Sequence, residues 1–188
     1  MRRRRWGWFG PQRNEPADET AAATGRQAMA QAHGWHYVPH DQRVIVGWPR
    51  TALPPGPVGR VCDAVFGDTH GRAFTVFDYA HRSARTGQGE RLLVWAMELP
   101  GRAPYVRVRC PPGDTHDIYV ESGDTDFALR LLSTEVREEI RRHAFTGFVV
   151  DSHLLIHTAA EGGPEGIEDT LKAMAELIEH LPEDLWSS

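Results

Sequence analysis

Few features of the sequence are typical of a secreted or membrane-spanning protein. It has two cysteines, Cys62 and Cys110, which are too few for a disulfide scaffold and too far apart in the chain for a zinc knuckle. Both stand in strand-like stretches, so we expect them to be reduced residues of the core. The basic N-terminus lacks the apolar segment of a secretory signal. Together these absences predict a cytoplasmic protein.

Long hydrophobic runs are missing as well. The longest, such as Leu92–Met97, are much shorter than the ~18 to 20 residues that cross a bilayer as a helix, so we expect no transmembrane segment. Apolar residues still make up 40% of the 188-residue chain, which is enough to fill the core of one domain. The sequence thus predicts a tail over residues 1–16 and a single domain over residues 17–188.

Acidic residues outnumber basic residues in this domain. The net charge of the chain is −5, and four positive charges stand at residues 2–5, so the remainder carries the difference, about −9. A surface that acidic repels the phosphate backbone of nucleic acids. We therefore expect the partner to be a small ligand or another protein, and not a nucleic acid.

The tail combines basic and aromatic side chains without helical or strand periodicity. Its candidate contact residues are Arg2, Arg3, Arg4, Arg5, Trp6, Trp8 and Phe9. Such a segment can make weak contact with an anionic membrane, at ~1 kcal/mol per basic residue near the surface, with the indoles in the interface. Binding to an acidic protein or to RNA is an alternative. The simplest interpretation is an untethered terminus that has no binding role.

Three helices are predicted from apolar spacing and from signals at their ends. The Ala-rich run Ala17–His33 stops at Gly34, which favours the left-handed conformation at a helix C-terminus. Ser133 can cap a helix that reaches His143, with acidic residues in its first turn and basic residues in its last. A final helix opens at Pro164 and carries apolar residues at helical spacing. These residues are Ile167, Leu171, Met174, Ile178 and Leu181.

Runs with period two predict an antiparallel sheet. The candidate strands are residues 61–66, 73–79, 91–99, 105–110, 117–121, 145–150 and 153–158. Turn residues at Gly67–Gly71 and at Asp151–Ser152 predict two tight hairpins. Because strands and helices do not alternate regularly, we predict an α+β fold. It has a curved antiparallel sheet of six to seven strands, packed by the C-terminal amphipathic helix, with an N-terminal helix and one inserted helix.

Three histidine motifs have the residue types of a metal site, but each favours a structural role. The GDTHG at Gly67–Gly71 is similar to a metal-binding motif of calcineurin-like phosphoesterases, yet it lacks the further motifs of such a site and suits a turn. His153 and His157 would lie ~13 Å apart along a strand, too far for one ion. The third cluster consists of His33, His36 and His40. Its spacing matches no defined site, so we expect no metal and no resident cofactor.

Polar residues at the end of one predicted strand are the candidate for a ligand site. Asp78, Tyr79 and His81 stand together there, and alternation in the strand 105–110 places Arg107 and Arg109 on one face that could line the same pocket. A polar patch on the sheet surface is the simpler alternative. The sequence contains no nucleophile elbow and no Walker motif, so we assign no catalytic residue.

A series of short motifs gives the chain a family resemblance. In order, they are HGWHYV (33–38), GWP (47–49), GRAFTVFDYA (71–80), VWAMELPGRAP (94–104), FALRLLS (127–133) and LPEDLW (181–186). From residue 28 to residue 186 the chain resembles a family of actinobacterial proteins known only as conserved hypothetical proteins. The resemblance implies an α+β domain, and it brings no activity, cofactor or catalytic residue with it.

These observations favour a non-enzymatic binding or accessory domain for a small ligand or a protein partner. Six tryptophans offer contact surface, and no convergent set of catalytic residues accompanies them. One alternative is a hydrolase whose site lies around Asp78 and His81. The other is a peripheral membrane protein that is steered by the N-terminal tail.

Overall fold

The computed structural model describes residues 16–111, 117–159 and 166–186, with side chains from residue 21 onward. The helices in these ranges are α1 (Pro16–His33), α2 (Thr125–Leu131), α3 (Thr134–Arg142) and α4 (Ile167–Glu179). The strands are β1 (His36–Val38), β2 (Arg60–Thr69), β3 (Arg72–Arg82), β4 (Gly89–Arg109), β5 (Tyr119–Ser122) and β6 (Gly147–Ala159). The predicted α+β class is confirmed. The inserted helical region holds two short helices, α2 and α3, where one was predicted.

The six strands form one curved, open antiparallel sheet around the long strand β4. Strands β1, β2 and β3 follow one another in the sheet, and β3 pairs with the first part of β4. Strand β5 pairs with the last residues of β4, while β6 pairs with β4 on both sides of an irregular stretch between Glu98 and Val106. Both ends of β4 therefore have partners on two edges.

Two details of the predicted strands are wrong. The candidates 91–99 and 105–110 are parts of the single strand β4, and the predicted hairpin at Asp151–Ser152 does not form, because β6 continues through it. Ser152 has a φ of 56°, which bends β6 where the β4 register shifts. Pairing with β4 resumes beyond the bend, so the backbone changes direction without reversing.

The β2–β3 hairpin is tighter than the predicted turn. Both strands continue to its tip, Thr69 pairs with Arg72, and only His70 and Gly71 remain as the loop. Their φ angles of 51° and 71° are those of a two-residue turn whose twist matches the strands. In this structure the GDTHG segment therefore forms the end of a hairpin.

Both faces of the sheet are covered. One face packs against the helices, α4 among them, and buries Phe74 and Val76. The other face buries Phe77 and Tyr79 under the segment that contains Ala52 and Leu53. The alternation predicted for β3 is thus confirmed.

The helix ends follow from local chemistry. The side chain of Asp124 accepts a hydrogen bond from the Phe127 amide at the start of α2, and Ser133 accepts one from the Val136 amide at the start of α3. After α4, Leu185 folds back into the core and is buried; Pro164, the predicted first residue of the last helix, lies outside the described residues. None of the helices within the described ranges is both long and apolar enough to cross a lipid bilayer.

Candidate functional site

An irregularity in β2 brings a carboxylate into the space between the sheet and α1. The register of β2 against β3 shifts between Cys62 and Val65, and Asp63 within this bulge has a φ of 50°. Tyr37 of β1 donates a hydrogen bond to Asp63 Oδ1 at 2.7 Å. Burial, followed by this hydrogen bond to a carboxylate, raises the pKa of Tyr37 to about 12. The bulge therefore positions Asp63 as an acceptor on this side of the sheet.

Arg26 reaches this carboxylate region from α1. Its side chain is 2% exposed, and it donates to the backbone oxygen of Asp63 at 3.0 Å and to Asp78 Oδ1 at 3.2 Å. Asp78 lies on β3 with its side chain 13% exposed. A buried guanidinium in contact with a carboxylate needs this kind of pairing, because each group loses its hydration. Arg26 thereby links α1 to both β2 and β3.

Arg91 of β4 completes a network of four charged side chains. Its Nη2 lies 2.8 Å from Asp78 Oδ2 and 3.3 Å from Asp63 Oδ2. Two guanidinium groups and two carboxylates therefore balance in charge, and each carboxylate oxygen of Asp78 contacts one arginine. We call Arg26, Asp63, Asp78 and Arg91 the charge network. It fixes three strands and α1 relative to one another.

A groove opens directly beside the charge network, and we call it the α1 groove. It has a volume of about 1110 Å³ and lies between α1, the segment 57–60 and the ends of β2, β3 and β4. Its polar lining includes Gln27, His40, Arg60, Asp63, Arg82, Glu90 and Arg91. Val58, 62% exposed, contributes apolar surface. A groove of this size and mixed polarity can hold a small molecule.

The structure separates the predicted ligand residues of β3 between the two sheet faces. Asp78 belongs to the charge network on the α1 side. Tyr79 is buried on the other side, where its hydroxyl accepts a hydrogen bond from the Gly59 amide at 2.7 Å. His81 stacks on Tyr79 and lies 3.8 Å from Glu90 through its Nε2 atom. Of these three residues, His81 also lines the α1 groove.

Arg107 and Arg109 line a different cavity, at the far end of β4. This cavity has a volume of about 270 Å³ and includes Ala52–Pro54 and Gly147 in its lining. Arg107 donates a hydrogen bond to the backbone oxygen of Thr51 at 3.1 Å. Because Asp78 pairs with the first part of β4 and these arginines stand at its last residues, the five predicted residues do not share one pocket.

The predicted histidine cluster is distributed among different neighbours. His33 stacks on Trp35, and its Nε2 atom lies 2.9 Å from Glu168 Oε1. His36 stacks on Phe66, and His40 lines the α1 groove. These three rings therefore serve separate contacts.

The histidines of β6 also have separate environments. His153 is exposed, whereas Nδ1 of His157 lies 2.8 Å from the backbone oxygen of Gly147. Burial of His157 lowers its pKa. The interpretation of His153 and His157 as residues of one strand is confirmed.

The cysteines and the tail residues complete the sequence-derived candidates. Cys62 and Cys110 are both free thiols of intermediate exposure, and burial raises the pKa of each. The predicted membrane or partner contacts of the tail, residues 2–9, lie outside the described residues.

Sequence reasoning missed a cluster between α3 and α4. Ligand-type atoms of Glu139, His143 and Glu176 all lie within 4.8 Å of one another, and Glu139 is 2% exposed. The signal in the sequence is a glutamate followed four residues later by a histidine, which occurs in both helices as Glu139/His143 and Glu176/His180. This spacing places both side chains on one helix face.

Comparisons with known proteins support the fold. No family model matches the sequence, and no curated protein matches it either. Among solved structures, the chain is similar to the mycobacterial trehalose monomycolate transport factor A, TtfA, with a TM-score of 0.66 and 15% sequence identity. The match covers 86% of this chain and 97% of that chain. At this identity the likeness shows a shared α+β fold, and its mycobacterial source is consistent with the actinobacterial resemblance.

Proposed function

We propose that this chain is a non-enzymatic accessory domain that binds a small polar ligand in the α1 groove. The observation that carries the proposal is the charge network beside the groove, of which Asp63 and Arg91 line the groove itself. It is paired within itself and holds α1 against three strands, so the groove has a wall of fixed shape. Rigid walls with a few directed polar groups are typical of ligand sites.

The state of Asp78 favours binding over hydrolysis. A general base must reach a substrate proton with a free carboxylate or imidazole, whereas both oxygens of Asp78 contact guanidinium groups. His81, the other residue of the hydrolase alternative, stacks on Tyr79 of the opposite sheet face, although it also lines the edge of the α1 groove. These two side chains therefore lack the shared geometry of a catalytic pair, and the binding proposal requires none.

The structural neighbour supplies a probe for the groove. That protein is a trehalose monomycolate transport factor, and an accessory role in moving or presenting a ligand agrees with an open groove of mixed polarity. The lining combines donors such as Gln27 and Arg60 with the acceptors Asp63 and Glu90. Donors and acceptors in one groove suit the hydroxyl groups of a sugar. Trehalose is therefore the first ligand to test, with trehalose monomycolate in detergent beside it.

The test uses native mass spectrometry and a titration of the full-length protein with trehalose, followed by a titration with trehalose monomycolate in detergent. We expect one ligand per chain and a dissociation constant that increases at least tenfold in the variant Val58→Arg, because the long side chain fills the groove. Val58 is 62% exposed, so the substitution does not disturb the core. The matched control is Leu129→Arg on α2, where the leucine is 66% exposed and does not line the groove.

Three results would contradict the proposal. If neither trehalose nor trehalose monomycolate nor any carried ligand binds, the groove is not a small-ligand site, and a protein partner becomes the favoured occupant. Equal binding by the wild type and Val58→Arg would place the ligand elsewhere on the molecule. Steady turnover of a substrate that is lost in Asp78→Asn would instead support the hydrolase alternative.

A further inference from the structure

Two helices contribute the same pair of residue types to one interface. On α3, Glu139 precedes His143 by four residues, and on α4, Glu176 precedes His180 by four residues. Each pair lies on one face of the helix, and the two faces meet. Nε2 of His143 lies 3.2 Å from Glu139 Oε2 and 2.8 Å from Glu176 Oε2. None of the four residues lines the α1 groove, so the cluster is a separate feature.

His143 has an unusual environment within this cluster. Its Nε2 atom is buried and makes no hydrogen bond, although two carboxylate oxygens lie close to it. One N–H group cannot be directed at both oxygens, so this nitrogen has two close carboxylate contacts and neither has the geometry of a hydrogen bond. A cation held between the nitrogen and the two oxygens would satisfy all three atoms.

We propose that Glu139, His143 and Glu176 bind a divalent cation of the zinc class, with His180 as the fourth ligand. Zinc binds histidine nitrogen and carboxylate oxygen at ~2.0 to 2.2 Å in a tetrahedron, which separates neighbouring ligand atoms by ~3.4 Å. The observed separations of 3.2 and 2.8 Å are shorter by about 0.2 and 0.6 Å, so side-chain rotations of well under 1 Å make room for the ion.

His180 lies beside the three converging residues, with its ring held by the backbone of α4. Its Nδ1 atom lies 2.8 Å from the backbone oxygen of Glu176, and its Nε2 atom lies 3.8 Å from Glu139 Oε1. Metal-binding histidines characteristically donate the second ring nitrogen to a carbonyl, which fixes the ring and leaves the other nitrogen for the ion. Four protein ligands make a closed site, which is the structural kind. The ion would therefore fasten α3 to α4.

Two cationic side chains pair with these carboxylates, and a bound cation would displace them. Arg142 lies 3.0 Å from Glu139 Oε1 with its side chain 64% exposed, and Lys172 lies 3.9 Å from Glu176 Oε1 with its side chain 62% exposed. Both long side chains can turn into water at little cost, because exposed ion pairs contribute little. The buried carboxylate of Glu139 has no such freedom.

The experiment measures zinc binding by the tag-free, full-length protein after treatment with a chelator. Isothermal titration and native mass spectrometry should show one Zn²⁺ per chain. The variants Glu176→Gln and His143→Gln should each weaken zinc affinity at least tenfold, since even residues behind the ligands change affinity by ~10 to 100-fold. Substitution with Co²⁺ should give visible absorption bands, and both variants should reduce them.

The matched control is Glu168→Gln on the same helix. Glu168 also pairs with a histidine, His33, at 2.9 Å, but it is not among the residues that converge on a shared point. We expect this variant to bind zinc as the wild type does. Failure of the wild type to bind one Zn²⁺, or equal affinity in Glu176→Gln, would overturn the proposal and leave an ion-pair cluster. Glu176 is 32% exposed, so that variant remains informative if His143→Gln does not fold.

Discussion

Burial of the Arg26 guanidinium carries a desolvation penalty that its partners must offset. Arg26 is 2% exposed and contacts Asp78 and the Asp63 backbone. We expect Arg26→Met to lower the free energy of unfolding by about 3 kcal/mol, the low end of the range for breaking a buried pair, because Arg91 still contacts Asp78. Urea denaturation monitored by circular dichroism measures the loss.

An exposed ion pair of the same residue types provides the control. Arg43 pairs with Asp41 at 2.9 Å and is 87% exposed, so Arg43→Met should leave the free energy of unfolding nearly unchanged. Similar losses in the two variants would mean that the charge network contributes no more than a surface pair does.

Tyr37 gives a second prediction, which concerns alkaline pH. Its pKa is raised to about 12 by burial and by its hydrogen bond to Asp63, from 10.0 in the unfolded chain. The raised pKa favours the neutral phenol in the fold, so its contribution to stability is complete below pH 10 and is lost as the pH rises toward 12. Absorbance titration of the phenolate should detect a tyrosine that ionises near pH 12, and Tyr37→Phe should remove it.

The control for this titration is Tyr119→Phe, which removes a tyrosine that is 54% exposed. We expect this variant to retain the component near pH 12. If Tyr37→Phe instead leaves that component unchanged, the hydroxyl of Tyr37 does not donate to Asp63 in solution.

At the scale of single elements, local signals were sufficient to predict α1, α3 and α4. The apolar spacing from Ile167 to Ile178 indicated the last helix, and the Ser133 cap with terminal charges indicated α3; both form as expected. Strand alternation also predicted which face each β3 residue covers. These features depend on neighbours within one or two turns or on period two, which the sequence displays directly.

The errors concern pairing between distant elements. Asp151–Ser152 has turn chemistry, but pairing with β4 on both sides holds β6 as one bent strand. The candidate site shows the same limit, because Arg26 and Asp78 are 52 positions apart and no local pattern joins them. Asp78 and His81 were found because they are polar at a strand end. Asp78 and His81 face opposite sides of the sheet because side chains alternate along a strand. The contacts of Asp78 with Arg26 and Arg91 could be found only in the tertiary structure.

At the scale of the whole molecule, one sheet supports two cores. The helices cover one face, and the loop segment with short 3₁₀ turns at Gln42–Ile45 and Arg50–Ala52 covers the other. Because neighbouring residues of β3 enter opposite cores, neither core can be lost without exposing residues of the same strands. We therefore expect the two cores to unfold in one transition.

Leu53 tests this coupling. It is 6% exposed in the smaller core, so Leu53→Ala should lower the free energy of unfolding by about 2 to 4 kcal/mol through lost burial and a cavity. Val46 in the same segment is 75% exposed. The variant Val46→Ala should change the free energy of unfolding by less than about 0.5 kcal/mol. Tryptophan fluorescence and far-ultraviolet circular dichroism should give coincident transitions in both variants. Two separated transitions in Leu53→Ala would show that the loop segment detaches by itself and that the cores are independent.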